Sequence, residues 1–162
     1  MKRKTKAFLL FISFAVIVVA AAAVNLQNPY KLERQYAFAQ GSNYSNNVQL
    51  LARCVNGEAR GESYVGQVAV AAVILNRVAH SSFPNTIAGV IYQPGAFTAV
   101  SDGQIDVPIS TNSTIYKACQ DAMNGWDPTG GAIFYYNPAR TTNKWIYSRE
   151  VLCRIGNHVF AR

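Results

Sequence analysis

Residues 48–78 read VQLLARCVNGEARGESYVGQVAVAAVILNRV, and this stretch decides the fold. Val48, Leu51, Ala52 and Val55 recur at i, i+3, i+4 and i+7, which is one apolar stripe of an amphipathic helix. Asn46 or Asn47 supplies its cap, and Gly57 and Gly61 mark its end. A second helix is predicted from the Ser63 cap to about Val78. Its stretch Val68 to Leu75 is apolar at every position, so this helix is surrounded by protein and forms the core of the domain.

Toward the C-terminus the pattern loosens. Residues 87–100, broken by Gly89 and Pro94-Gly95, predict a short helix or loop followed by a small strand around Phe97 to Val100. A third helix from Asn112 or Ser113 to Asn124 puts Ile115, Ala118, Cys119 and Ala122 on one face and stops at Gly125. Asp127 to Gly131 is a turn. Ile133 to Tyr136 reads as a buried strand, Lys144 to Tyr147 as a strand or loop, and Ile155-Gly156 with His158-Val159-Phe160 as a terminal strand. Helices first and short strands later describe an α+β domain rather than an alternating α/β sheet.

Toward the N-terminus, residues 40–47 (QGSNYSNN) are polar and turn-rich and read as a flexible linker. Before them, a basic start runs into Ala7 to Val24, apolar but for Ser13, which is the order of an export signal or membrane anchor. Small-residue cleavage sites follow Ala23 and Ala39. The organisation expected is therefore a signal or anchor with linker at 1–39, a flexible linker at 40–47 and a folded domain at 48–162.

The chain has 162 residues and a net charge of +7, with 50% hydrophobic and 14% charged residues, too apolar and too weakly charged for a disordered tail. Most of that charge lies before residue 40, in Lys2, Arg3, Lys4, Lys6, Lys31 and Arg34. The folded part is near neutral, so it lacks the clustered bases that phosphate binding needs, and no nucleic-acid role is expected. Cys54, Cys119 and Cys153 are an odd number in an exported chain, allowing at most one internal disulfide.

Glu58 is the most informative residue. It stands three after Val55 and seven after Leu51, on the stripe that faces the interior. A desolvated carboxyl group has a raised pKa, and one still protonated near neutral pH can act as a general acid. The alternative is an ionised Glu58 paired with a buried base such as Arg77. Glu62 would share the face of Glu58 only if the helix ignored Gly61. The distant half of the chain adds aromatic rings and amides that suit a neutral, hydroxyl-rich ligand such as a sugar. Tyr92, Gln93, Phe97, Thr98, Tyr136, Asn137 and Trp145 are the candidate substrate-binding residues.

Asn56 to Glu62 (NGEARGE), followed by Gly66 to Val78, resembles the catalytic domain of the SleB/CwlJ-type spore cortex-lytic cell-wall hydrolase family. Ile91 to Val100, Asp127 to Ala132, Phe134 to Pro138 and Ile155 to Phe160 continue the resemblance in order over about residues 48–162. The resemblance implies a lysozyme-like α+β fold, helices with a small antiparallel sheet. It also implies cleavage of peptidoglycan glycan strands between N-acetylmuramic acid and N-acetylglucosamine, in the manner of a lytic transglycosylase. The family's catalytic acid is the first glutamate of its Gly-Glu-Ala-Arg-Gly-Glu motif, here Glu58. Tyr136-Asn137 resembles the aromatic-amide pair that lysozyme-like transglycosylases place beside their acid. No cofactor or metal is implied, and the expected partner is the glycan strand, met by an exported monomer in cell wall or spore cortex.

Two competing chemistries remain open on sequence alone. A cysteine amidase or peptidase acting on the peptide stems would use Cys54 with His158 or His80 as base. A membrane-anchored wall-binding module would keep the groove without the chemistry. Cys54, Cys119, Cys153, His80 and His158 show no recognised zinc-ligand spacing.

Overall fold

The computed structural model describes residues 29–162. The apolar segment at 7–24 and the cleavage site after Ala23 lie outside the described residues. Two compact units divide the chain, Met1–Asn43 and Tyr44–Arg162. No helix of the described residues is long and apolar enough to cross a membrane.

Helix α1 is Pro29–Ala59. Residues 40–47, expected as a turn-rich linker, are therefore helical. Their serines and asparagines are weak helix formers rather than breakers, no proline interrupts them, and propensity yields readily to context. Within the second unit, Val48, Leu51, Ala52 and Val55 are all 0% exposed, as their spacing predicts. Helix α2, Tyr64–Ala79, begins at Ser63, whose hydroxyl accepts the Gly66 N–H, and Gly66 to Ile74 are buried at every position. Helix α3 is Ile87–Ile91 and α4 is Thr98–Ser101. The strand expected at Phe97 to Val100 is thus a helical turn: only Phe97 is extended, and it serves as the N-cap residue. After a 3₁₀ turn at Gln104–Asp106, helix α5, Thr114–Met123, starts at the Ser113 cap. It ends before Gly125, whose φ of 101° suits glycine alone. Helix α2 packs against α5, α3 and the sheet.

The sheet has three antiparallel strands in the order β1-β3-β2, with β1 at Phe134–Tyr136, β2 at Val151–Ile155 and β3 at His158–Ala161. The terminal strand expected from sequence is thus a hairpin turning at Gly156-Asn157, and Lys144–Ser148 is a 3₁₀ helix. Central β3 is buried at all four positions. Its register sets Tyr135 opposite Phe160 and Tyr136 opposite Val159. The α+β class expected from sequence is the observed one.

One close approach fixes the end of α1. A Cβ on Gly57 would lie 2.5 Å from Ala99 Cβ and 3.2 Å from Ala99 Cα, so α4 rests directly on the backbone of the last turn of α1. Gly57→Ala is expected to cost about 1–3 kcal/mol, the range of overpacking substitutions. A Cβ on Gly61 meets nothing within 4 Å, and Gly61→Ala is expected to be near neutral. Thermal melting of the two variants checks the contrast; equal melting temperatures would contradict it.

Candidate active site

Glu58 sits one residue before the end of α1. The apolar stripe carries it to the edge of the core, where it is half-buried rather than sealed inside. There a groove of about 750 Å³ opens, lined by Glu58, Arg60, Glu62, Thr98, Tyr135, Tyr136, Asn137, Arg140, Thr141, Asn157 and His158 among others. Glu58 Oε1 accepts hydrogen bonds from Thr98 Oγ1 at 2.8 Å and from the Ala99 N–H at 3.0 Å. Tyr135 donates its hydroxyl to Oε2 at 3.1 Å. The first turn of α4 thus holds one oxygen and β1 the other. Burial, with the neighbouring Glu58 charge, pushes the Tyr135 phenol well above its ordinary value of 10, so it stays a neutral donor.

Arg77 is not the partner of Glu58. Its Nε donates to the Ile133 carbonyl at 2.7 Å, and its guanidinium lies over the rings of Phe83, Phe97 and Phe134 at 5.4, 5.4 and 5.9 Å. Burial lowers the Arg77 pKa, with Tyr135 and Cys54 acting the other way. Arg77 ties α2 to the sheet beneath the site.

Of the residues expected to bind substrate, Thr98, Tyr136 and Asn137 line the groove, whereas Tyr92, Gln93, Phe97 and Trp145 do not. Phe97 is 4% exposed, packed in the core under Arg77. Tyr92 caps α3 at the surface, with Gln93 half-buried beside it. Trp145 is exposed, its ring set edge-on to Phe134 at 5.3 Å and under Arg149 at 4.2 Å. Thr98 acts as a donor to Glu58 rather than as a plain wall. The tyrosine that touches the acid is Tyr135, not Tyr136. Alternation along β1 sends the Tyr136 ring to the other face, where it meets Tyr147 edge-on at 5.3 Å.

Cys54 cannot be the nucleophile of an amidase. It is 0% exposed, and burial pushes its thiol far above the ordinary value, leaving no thiolate and no access. His80 is at the surface, where its Nδ1 accepts the Ser82 N–H. All three cysteines are free thiols.

Glu62, Asn157 and the true setting of His158 escaped the sequence. The Glu62 carboxylate accepts the Asn157 N–H at 3.1 Å and Asn157 Nδ2 at 3.0 Å, and lies 3.5 Å from His158 Nδ1. Burial raises the Glu62 pKa, but the Asn157 hydrogen bonds and His158 outweigh it, and the group sits below its ordinary 4.5. His158 is pushed the other way: burial lowers its pKa against the pull of Glu62 and Glu58, and Arg140 adds to the lowering.

The fold and the site define an α+β domain with an open polar groove that holds two hydrogen-bonded carboxyl groups, Glu58 and Glu62. The chain belongs to the cell wall hydrolase family, whose match covers residues 61–161. It is 58% identical over 117 residues to the spore cortex-lytic enzyme of Bacillus cereus, covering 72% of this chain and 44% of that relative. The chain therefore spans less than half the length of that protein. Among solved structures it is similar to the catalytic domain of Bacillus cereus SleB, at 58% identity and a TM-score of 0.69, covering 73% of this chain and 91% of that one. The catalytic domain of the germination-specific lytic transglycosylase SleB from Bacillus anthracis matches at 58% identity and a TM-score of 0.68, covering 72% of this chain and 94% of that one. The SleB/CwlJ-type membership expected from the motifs is borne out.

The depressed His158 pKa sets a pH dependence. The folded state holds His158 neutral, while the unfolded chain takes up a proton below the ordinary value of 6.5, so stability falls as pH drops through 6.5. Between pH 6.5 and the ordinary glutamate value of 4.5 the loss belongs to the histidine, and Glu62 adds to it only lower down. The melting temperature is expected to decline across that window, and to decline less in His158→Phe. An equal decline in both proteins would contradict this assignment.

Proposed function

We propose that this chain cleaves peptidoglycan glycan strands between N-acetylmuramic acid and N-acetylglucosamine as a lytic transglycosylase, with Glu58 as its single acid and base. The observation that carries the proposal is the Glu58 carboxyl group, held by three hydrogen bonds in the lining of an open groove. Oε1 is occupied by Thr98 and Ala99, which leaves Oε2, on the Tyr135 side, to carry the transferable proton.

In the first step Glu58 gives that proton to the bridging oxygen, the glycosidic bond breaks with its electron pair going to the leaving sugar, and an oxocarbenium-like centre forms at C1. In the second step the carboxylate takes the proton of the muramic 6-hydroxyl as its oxygen bonds to C1, closing a 1,6-anhydro ring. No water is consumed. Tyr135 stabilises the carboxylate formed between the two steps, and Thr98 and Ala99 keep it from rotating. Asn137 and Thr141 offer the amide and hydroxyl groups that would hydrogen-bond sugar hydroxyls along the groove.

A two-carboxylate hydrolysis would need a second acidic group free to activate water. Glu62 lines the same groove, but both its oxygens are taken by Asn157, which favours the single-carboxylate route. The Bacillus anthracis neighbour's name, a germination-specific lytic transglycosylase, also supports the reading, and the Bacillus cereus relative's name supports spore cortex as the setting. The enzyme would act outside the cytoplasm, as a monomer, on the wall or cortex. Its N-terminal segment would serve as signal or tether.

Glu58→Gln is expected to fold with an unchanged melting temperature and to release no muropeptides from purified sacculi, whereas wild-type products carry anhydro-muramic ends by mass spectrometry. Reducing ends would point to hydrolysis, free stem peptides to an amidase, and retained activity to another acid. Tyr135→Phe removes one hydrogen bond to a charged group, about 1.5–3 kcal/mol, and is expected to lower kcat about 10-fold to 100-fold. An unchanged kcat would remove Tyr135 from the mechanism.

A further inference from the structure

Glu62 is the second carboxylate of the groove, and the Glu58 chemistry gives it no task. Its side chain is only 9% exposed. Burying a carboxylate is costly unless its oxygens are satisfied. The fold anchors the Glu62 backbone on one side and satisfies its carboxylate on the other. In the turn between α1 and α2 the Glu62 N–H donates to the Ala59 carbonyl at 3.0 Å, and its own carbonyl accepts Gln67 Nε2 at 3.2 Å. Across the groove, both carboxylate oxygens accept from Asn157, one from the backbone and one from the side chain.

Two glycines are shaped around this residue. A Cβ on Gly66 would lie 2.9 Å from Glu62 Cβ, and a Cβ on Gly156 would overlap Glu62 Oε2. Gly156 has φ of +58°, so the β2–β3 turn presents bare backbone to the carboxylate. Asn157 leads directly into β3. The first residue of β3, His158, sets its ring edge-on to Tyr135 at 5.3 Å, and Tyr135 in turn donates to Glu58.

We propose that Glu62 is a positioning residue: by clamping the Gly156–Asn157 turn it fixes His158, and through His158 the ring of Tyr135 whose hydroxyl holds Glu58. This inference rests on the proposed Glu58 reaction and deepens it. The clamp ties the β2–β3 turn to the α1–α2 turn by two hydrogen bonds to one carboxylate. It acts on turnover by aiming an existing hydrogen bond, and contributes no proton of its own.

The test is steady-state kinetics of the full chain on glycan strands from purified sacculi, with melting curves and product mass spectrometry. Glu62→Ala, which removes both acceptors, is expected to lower kcat about 10-fold, leave KM within about twofold and leave the product ends unchanged. Added to Tyr135→Phe, it is expected to lower kcat by less than a further twofold, because the hydrogen bond it aims is already absent. Asn157→Asp alone sets two carboxylates against each other and is expected to lower kcat similarly. Combining Asn157→Asp with Glu62→Gln restores a donor–acceptor pair across the same gap and is expected to recover most of the activity. If Glu62→Ala does not fold, Asn157→Ala, which keeps the backbone N–H, carries the same comparison with Tyr135→Phe. An unchanged kcat, losses that multiply with Tyr135→Phe, no recovery in the paired variant, or a change of product end would each overturn the positioning role. Failure of the underlying reaction is distinguishable, because it shows as activity retained in Glu58→Gln whatever Glu62 does.

Discussion

The site depends on the contact between the last turn of α1 and the first turn of α4. Gly57 lets the Ala99 backbone come close enough that the Ala99 N–H and the Thr98 hydroxyl both reach one oxygen of the next residue, Glu58. A side chain at position 57 would push α4 away and leave that oxygen to water. Backbone approach, rather than a charged partner, is therefore what fixes the acid. Hydrogen bonds of this kind hold the carboxyl group in one orientation, which the proposed reaction, with its two proton transfers at Glu58, would require.

The other oxygen is served from the sheet, and the sheet is placed by α2. Arg77 reaches from α2 to the Ile133 carbonyl, at the start of β1, and its guanidinium is covered by three phenylalanine rings. Stacking on aromatic faces suits the weakly hydrated guanidinium, so a buried charge here is compatible with a dry core. The antiparallel register then fixes which side chains share a face. Tyr135, His158 and Phe160 gather on the side facing the helices, with Tyr135 6.2 Å from Phe160 and 5.3 Å from His158 between ring centres. The groove is thus framed by α1 and its following turn, α4, and the β1 and β2–β3 ends of the sheet.

The helical half of this arrangement was legible in the sequence because it depends on local rules. Ser63 and Ser113 cap the helices that their positions predict, and the Val48-to-Val55 stripe leads to Glu58 from spacing alone. The sheet half depends on pairing between distant residues, which sequence periodicity cannot supply. Four consecutive residues, Ile133 to Tyr136, fit a strand on either face, so the choice between Tyr135 and Tyr136 was settled only by pairing with β3. Strand β2 is not legible because none of its five residues is fully buried, two are exposed, and its pairing is irregular between Val151 and Cys153. Glu62 was passed over because it follows the end of the helix. Its partner, Asn157, lies at the far end of the chain, and no local pattern joins them. Aromatic residues proved the poorest guide, since Phe97 and Trp145 serve packing and cation contacts while the groove is mostly polar.

The central claim is that the Glu58 carboxyl group faces the bridging oxygen of a bound glycan strand. A crystal structure of Glu58→Gln with a peptidoglycan glycan oligomer measures this directly. The account predicts a muramic–glucosamine linkage in the groove, its bridging oxygen within about 3 Å of the side chain at position 58, and the muramic 6-hydroxyl on the same side. A strand bound away from this groove, or a linkage turned from position 58 with a different acid beside its oxygen, would contradict it.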